Sequence, residues 1–288
     1  MRRSCCVLIL FLLLALVSNG FAATTYIQWD GGAGDGQWGN PINWAGDTTV
    51  PNATDHWGVA GNPNYKAGFK TPGNYANLSS GTVTTDILVF GGTNASNLDC
   101  LVVGGATVNV SEYITLAAGA ADNGIVTMNS GTISTGVQHT NSTFYVSQLG
   151  KGTLYMNGGT INCGLPDPTW SGRPANYSGN LSMTGSSGTT GNGTLYLYGG
   201  TIYANDLLPG TSAPKLLDIR DGKLVLKTDR RNEIQVYVDD GWLRTTKQGG
   251  SIEISYDALK DATTVWVPEP ATICLLGLGL LGLLGRKK

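Results

Sequence analysis

Three ten-residue stretches align without gaps: GIVTMNSGTI at 124–133, GTLYMNGGTI at 152–161 and GTLYLYGGTI at 193–202. Each alternates apolar and polar residues, turns at a glycine, then resumes with Thr and Ile. A period of two sends alternate side chains to opposite faces of a strand. Val126 and Met128, Leu154 and Met156, and Leu195 and Leu197 therefore share one buried face, and Ile133, Ile161 and Ile202 continue it beyond the turn. The glycine of each turn (Gly131, Gly159, Gly200) fits a bend that needs positive φ or close backbone packing.

Weaker copies fall into the same register. YANLSSGTV supplies Ala76, Leu78, Gly81 and Val83; LLDIRDGKL supplies Leu217, Ile219, Gly222 and Leu224; VYVDDGWL supplies Val236, Val238, Gly241 and Leu243. A poorer copy surrounds Gly105. The bend glycines are then 81, 105, 131, 159, 200, 222 and 241, at intervals of 24, 26, 28, 41, 22 and 19 residues. The long interval holds PDPTWSGRPANYSGN, a Pro/Gly-rich insertion expected to leave the stack as a loop over 166–180. Such a period with short strands and glycine turns is the signature of stacked coils sharing one core. The expected fold is all-β: a right-handed parallel β-helix (β-solenoid) of about seven coils over 76–245. A β-sandwich competes, but does not require matching residue classes at matching turns.

The open ends of such a stack need covers. Residues 24–75 contain Trp29, Trp38, Trp44 and Trp57, four of the seven tryptophans, and read as an aromatic N-terminal cap. At the other end GSIEISYDALKDATTVWV offers two alternating segments, so 246–267 are expected as cap strands.

The termini differ from this body. Arg2 and Arg3, the apolar run Val7–Val17, and small residues Gly20 and Ala22 make 1–23 a secretory signal peptide, with cleavage after Ala22 or Ala23. Five of the 18 cations (Arg2, Arg3, Arg286, Lys287, Lys288) and the carboxylate of Glu269 lie in the terminal segments. The body keeps 13 Lys/Arg against 19 Asp/Glu, which argues against a nucleic-acid partner. Nine of those thirteen cations fall between Lys215 and Lys260, mixed with Asp218, Asp221, Asp229, Asp239 and Asp240, and read as solvated outer faces. Of the five cysteines, Cys5 and Cys6 leave with the signal and Cys274 lies in the C-terminal run. Cys100 and Cys163 could pair after export, although they occupy different positions in the repeat.

Chemistry-bearing motifs are few. No C-x-x-C, H-E-x-x-H or G-x-S-x-G spacing is present, and no cofactor is expected. His56 and His139 sit in polar segments and read as surface residues. Asp218 with Asp221, or Asp239 with Asp240, could be written as an acid/base couple of a polysaccharide-degrading enzyme, yet Asp before a turn glycine commonly serves the turn. GGAGDG at 31–36 approximates one calcium-binding nonapeptide, but Asp35 arrives one position early and no tandem copy follows. Outward positions are more regular. Tyr155 and Tyr196 share one slot with Tyr198 two residues on, while Thr132, Thr160 and Thr201 share another. These rows could bind carbohydrate or ice, or simply stack along the coil axis.

The C-terminus, VPEPATICLLGLGLLGLLGRKK, resembles the PEP-CTERM sorting signal of exported bacterial proteins. Pro268, Glu269 and Pro270 match its motif, Ala271 to Gly285 its apolar segment, and Arg286, Lys287 and Lys288 its basic end. The resemblance implies recognition by an exosortase, a membrane protease-transpeptidase at the inner membrane. It also implies delivery to the cell surface or an exopolysaccharide-rich matrix. As a helix, 271–285 would reach only about 22 Å, short of the ~30 Å hydrocarbon core, so the expected transmembrane helix is a temporary hold. The body resembles, more loosely, exported proteins with autotransporter-associated β-strand repeats. Trp29-Asp30-Gly31-Gly32, Trp38 and Asn43-Trp44 match their opening, and the G-T-L-x-M-x-G-G-T-I coils their repeats. That resemblance bears on the fold more than on activity; the expected role is a structural or adhesive one at the cell surface rather than that of an enzyme.

Overall fold

The computed structural model describes residues 25–44, 50, 65–69, 75–85, 87–90, 98–120, 122–136, 142–164, 179–185, 191–210 and 214–269. The expected signal helix, the C-terminal transmembrane segment, Trp57, His56 and His139 lie outside the described residues.

The strands are β1 (Thr25–Trp29), β2 (Tyr65–Phe69), β3 (Tyr75–Leu78), β4 (Thr82–Thr85), β5 (Ile87–Phe90), β6 (Leu98–Val110), β7 (Ile114–Leu116), β8 (Asn123–Thr135), β9 (Phe144–Tyr145) and β10 (Lys151–Met156). They continue as β11 (Thr160–Cys163), β12 (Asn180–Ser182), β13 (Asn192–Leu197), β14 (Thr201–Ala204), β15 (Asp206–Leu208), β16 (Lys215–Ile219) and β17 (Lys223–Lys227). One helix, α1 (Arg231–Asp239), precedes β18 (Leu243–Arg244), β19 (Glu253–Asp257) and β20 (Ala262–Trp266).

The chain winds as a β-solenoid. Each coil lays two arms, joined at the glycine bend, on a 13-stranded sheet and a third short arm on a 7-stranded sheet. Ladders between successive coils are parallel and join residues that align in sequence. Gly152 pairs with both Gly124 and Gly193, Leu154 with Val126 and Leu195, and Met156 with Met128 and Leu197. Across the bend Ile161 pairs with Ile133 and Ile202. The weak copies join the same columns: Ala76 and Leu78 through β6, then Leu217, Ile219 and Leu224 beyond β13 and β14. This all-parallel register excludes a sandwich of hairpins.

Inward columns form the core. Val126, Met128, Ile133, Leu154, Met156, Ile161, Leu195, Leu197 and Ile202 are all buried. Each such side chain contributes about 1.5–3 kcal/mol, but only because a neighbouring coil covers it. The third arm adds a column unannounced by any repeat: Leu88, Ile114, Phe144, Leu181 and Leu207 stack in register, all buried. Its strands are two to four residues long, too short for alternation to register as a pattern.

Glycine solves two crowding problems. At the bend Gly131, Gly159 and Gly200 have φ of 91°, 83° and 75°, values an L side chain rarely adopts. At the start of the first arm, a Cβ on Gly152 would lie 1.5 Å from the Val146 carbonyl oxygen, and one on Gly193 1.7 Å from that of Met183. The third arm of one coil thus passes directly against the first arm of the next.

The coil count is a correction. Among the described residues five complete coils are present, ending at β5, β7, β9, β12 and β15, rather than about seven. A sixth begins with β16 and β17, but the chain then forms α1 instead of another third arm. The segment expected as a seventh coil, VYVDDGWL, is the end of this helix and its exit. Ile234, Tyr237 and Val238 follow helical spacing; Ile234 is buried and the other two are partly buried against the core, while Val236 is 53% exposed. Gly241 has φ of 77° and ends the helix, its N–H bonding the Val238 carbonyl. Leu243 pairs with Leu217, two slots from the position sequence alignment gives it. An ion pair of 3.2 Å between Arg230 and Asp206 on β15 fixes α1 over the last rung of the 7-stranded sheet. Antiparallel pairing of β20 with β17 and β19 closes the second arm.

At the N-terminal end β1 and β2 add two parallel rungs beyond β5. Trp38 and Trp44 are buried edge-to-face at 4.6 Å, and the Trp44 indole N–H donates to the Trp38 carbonyl.

Gly152→Ala is expected to destabilise the fold by about 3 kcal/mol or more, since the added methyl meets backbone rather than a movable side chain. Lys151→Ala, one residue earlier and exposed, should fall within about 0.5 kcal/mol of the parent. Urea unfolding of both variants checks the contrast; equal midpoints would contradict the close-approach account.

Candidate functional site

The outward positions hold the ordered side chains that sequence reasoning singled out. Tyr155 and Tyr196 are ladder partners, and their rings stack 5.0 Å apart and 8° from parallel. Tyr198 joins from the next outward slot at 5.5 Å and a 36° tilt. The Arg220 guanidinium then lies 4.5 Å from the Tyr198 centroid. The four side chains form one continuous stack: Tyr155 and Tyr196 turn faces toward each other, and Tyr198 turns a face to Arg220. Partial burial raises the Tyr198 hydroxyl above the ordinary phenol range.

The threonine row is longer than the aligned copies suggest. Thr82, Thr107, Thr132, Thr160 and Thr201 follow one another on five successive coils. Lys223 interrupts the row at the sixth. Thr82 directly follows its bend glycine as in the strong repeats, whereas Thr107 stands two residues after Gly105 across a register shift, which hides it from a gapless alignment. A shorter amide column parallels it, with Asn157 donating to the Asn129 carboxamide oxygen at 2.8 Å.

The acidic residues are bound into the architecture. Asp218 is only 1% exposed, so it is not on the solvated outer face expected for it. Its carboxylate accepts the Thr246 N–H at 2.9 Å and the Thr246 hydroxyl at 2.6 Å, with Arg220 3.6 Å away. The column position is outward, but the turn after β18 folds over it, which one-dimensional alternation does not reveal. Asp221 pairs instead with Lys247 at 2.6 Å. Asp239 accepts from Gln235 along α1, and Asp240 is the C-cap of that helix. Neither carboxylate couple converges on a shared cleft.

The GGAGDG segment resolves into a hydrogen-bonded turn. Asp35 accepts the Gln37 N–H at 2.9 Å and the side-chain amides of Asn40 and Asn43. Buried Asn43 in turn donates to the Gln37 carbonyl and accepts from the Ala33 N–H. The backbone donor first, then the two amides, hold the Asp35 carboxyl below its ordinary range. Elsewhere, Cys163 is buried on the second arm opposite Thr135, whereas Cys100 lies on the first arm opposite Ile125; the Cys100 side chain is outside the described residues. Among the described residues no group of three His, Cys, Asp or Glu side chains is arranged to hold a metal ion.

These features define a class: a β-solenoid whose outer faces carry stacked ladders of like residues. Its C-terminus is more specific. A family profile for the PEP-CTERM protein-sorting motif matches residues 267–288, and the chain carries that motif. The motif implies export, recognition by an exosortase and C-terminal sorting to the cell surface. No curated protein and no solved structure matches the chain. The likeness of the body to autotransporter-associated repeats stays a resemblance. Val267 is buried beneath the cap, Pro268 is half-exposed and Glu269 exposed, so the motif leaves the fold directly from its core. Pro270 and 271–288 lie outside the described residues; among the described ones no helix is long and apolar enough to cross a membrane.

Two outcomes follow for the N-terminal turn. Because the folded pKa of Asp35 is lowered, its stabilisation is present at neutral pH and disappears as pH falls through the lowered value. Near-ultraviolet circular dichroism of the Trp38–Trp44 pair should lose signal in acid, and Asp35→Asn should remove that step. Chelation with EDTA should leave the melting curve unchanged, because nitrogen donors already occupy both Asp35 oxygens; a chelator-dependent shift would restore the calcium assignment.

Proposed function

We propose that this protein is a structural or adhesive element of the cell surface or extracellular matrix, not an enzyme. It would be exported through the inner membrane behind the 1–23 signal and held by 271–285. An exosortase would then release or transfer it at Pro268–Glu269–Pro270, with Arg286, Lys287 and Lys288 marking the cytoplasmic side. One observation carries the reading: the sorting motif begins at the buried end of a five-coil solenoid whose outward aromatics are spent on one another. A ring face already covered by a neighbouring ring or guanidinium adds rigidity to the rod, and is poorly placed to stack on a sugar. The carboxylates that an acid/base mechanism would need are held by Thr246, Lys247 and Gln235.

A second reading rests on the five-threonine row. One hydroxyl per coil, at a rung spacing of about 4.8 Å, could order water or meet a repeating glycan. In this reading Thr132, Thr160 and Thr201, with Tyr155, Tyr196 and Tyr198, face carbohydrate or ice. Exopolysaccharide is then the natural partner.

Intact-mass analysis of the protein from its native host, with and without an active exosortase, tests the principal reading. The expected mature species ends near Pro268–Pro270 and sits outside the cell, while loss of the exosortase leaves a membrane-associated chain ending in Lys288. A wild-type chain that keeps Lys288 would make the tail a simple anchor. Ice-recrystallisation and glycan binding that fall together in Thr132→Val and Thr160→Val would favour the second reading.

A further inference from the structure

A cleft of about 460 Å³ opens between the N-terminal cap and the first coil. Gln37, Trp38 and Gly39 line it from the cap, and Asn77 to Val83 line it from β3, the bend and β4, with Val50 beside them. The two walls are joined by the Gln37–Asn77 bridge and by the Asn77 N–H donating to the Gly36 carbonyl at 2.7 Å. We propose that this cleft binds a neutral sugar residue of a glycan chain, a function that goes beyond the structural role proposed above.

The lining decides the ligand class. Gln37, Asn77, Ser79, Ser80 and Thr82 place five neutral polar side chains there, and none of the described lining residues is charged. None of these five side chains is engaged in a hydrogen bond with another described residue. An apolar ligand would strip water from all five without replacing it. A charged ligand would find no counter-charge among the described lining residues, and an anionic polymer would also meet an acidic body. Carboxamides and hydroxyls each donate and accept, as sugar hydroxyls do. Leu78, Val83, Val50 and Trp38 supply the apolar residues of the lining, suited to the C–H face of a pyranose. The size suits one or two sugar residues, and the open side lets a longer chain continue. The cleft gathers its polar groups on two facing walls, whereas the tyrosine stack turns its ring faces to one another and to Arg220.

Calorimetry on the purified full chain with cellotetraose, laminaritetraose, chitotetraose and tetragalacturonate tests this. At least one of the three neutral tetrasaccharides should bind. Gln37→Ala, at an exposed position, should weaken that binding about tenfold through loss of its hydrogen bonds. Ser80→Trp should abolish it by filling the cleft, while Tyr155→Ala should leave it unchanged. Thermal melts check that each variant is folded; should Ser80→Trp fail to fold, Thr82→Val takes its place, with a severalfold loss expected. The proposal is overturned if no neutral tetrasaccharide binds, if tetragalacturonate binds best, or if Tyr155→Ala removes binding that the cleft variants retain. The fate of the C-terminal tail in the host does not enter this measurement, so sorting and sugar binding stand or fall separately.

Discussion

Parallel stacking of equivalent residues is the constraint on which this molecule depends. A coil of about two dozen residues has no second layer of its own, so its apolar face is covered only by the coils above and below. Leu154 is buried because Val126 and Leu195 occupy the same column, and each of those depends on its neighbour in turn. The columns stay aligned because the backbone approaches itself at fixed glycines. Where Gly152 passes Val146 there is no room for a methyl group, and one added atom would displace a rung rather than a side chain.

The same registry sets what the outside can do. A parallel ladder repeats outward positions as faithfully as inward ones, so like residues meet like residues whether or not function asks for it. Tyr155 against Tyr196, and Asn157 against Asn129, are consequences of that geometry and reinforce it. Rows of this kind therefore weigh less as evidence for a ligand than they would on a scaffold that had to build them residue by residue. Departures from the repeat are more informative. The cap cleft, the helix that ends the stack and the covered Asp218 all occur where the columns stop or change, and there the side chains are chosen for reasons other than stacking.

Both ends of the rod solve the problem of an uncovered rung, in different ways. The C-terminal end is closed by α1 over the third arm and by the β19–β20 hairpin over the second, fixed by Arg230 to Asp206 and by the Thr246 contacts to Asp218. From this closed end Val267 passes straight into the sorting motif, so the delivery signal is attached to the capped end of the fold. The N-terminal end is held by Asp35, Asn43 and the paired tryptophans, and leaves the cleft beside β4.

Much of this was legible in the linear chain. Period-two alternation, aligned bend glycines and matching Leu/Met/Ile slots determined a β-solenoid, the inward and outward faces of its first two arms, and the aromatic column. The apolar, basic-ended terminus determined the sorting signal. These features are local or strictly periodic, so neighbouring residues suffice to read them. What only the tertiary structure decided was where periodicity fails. VYVDDGWL alternates like a strand, yet it finishes a helix, because beyond β17 the stack needs a lid more than another rung. Asp218 sits in an outward slot but is buried, because the turn at Thr246 closes over it from 28 residues away. The third-arm column, the number of complete coils and the cleft between cap and first coil likewise depend on which segments meet in space, a property of long-range packing that no window of sequence contains.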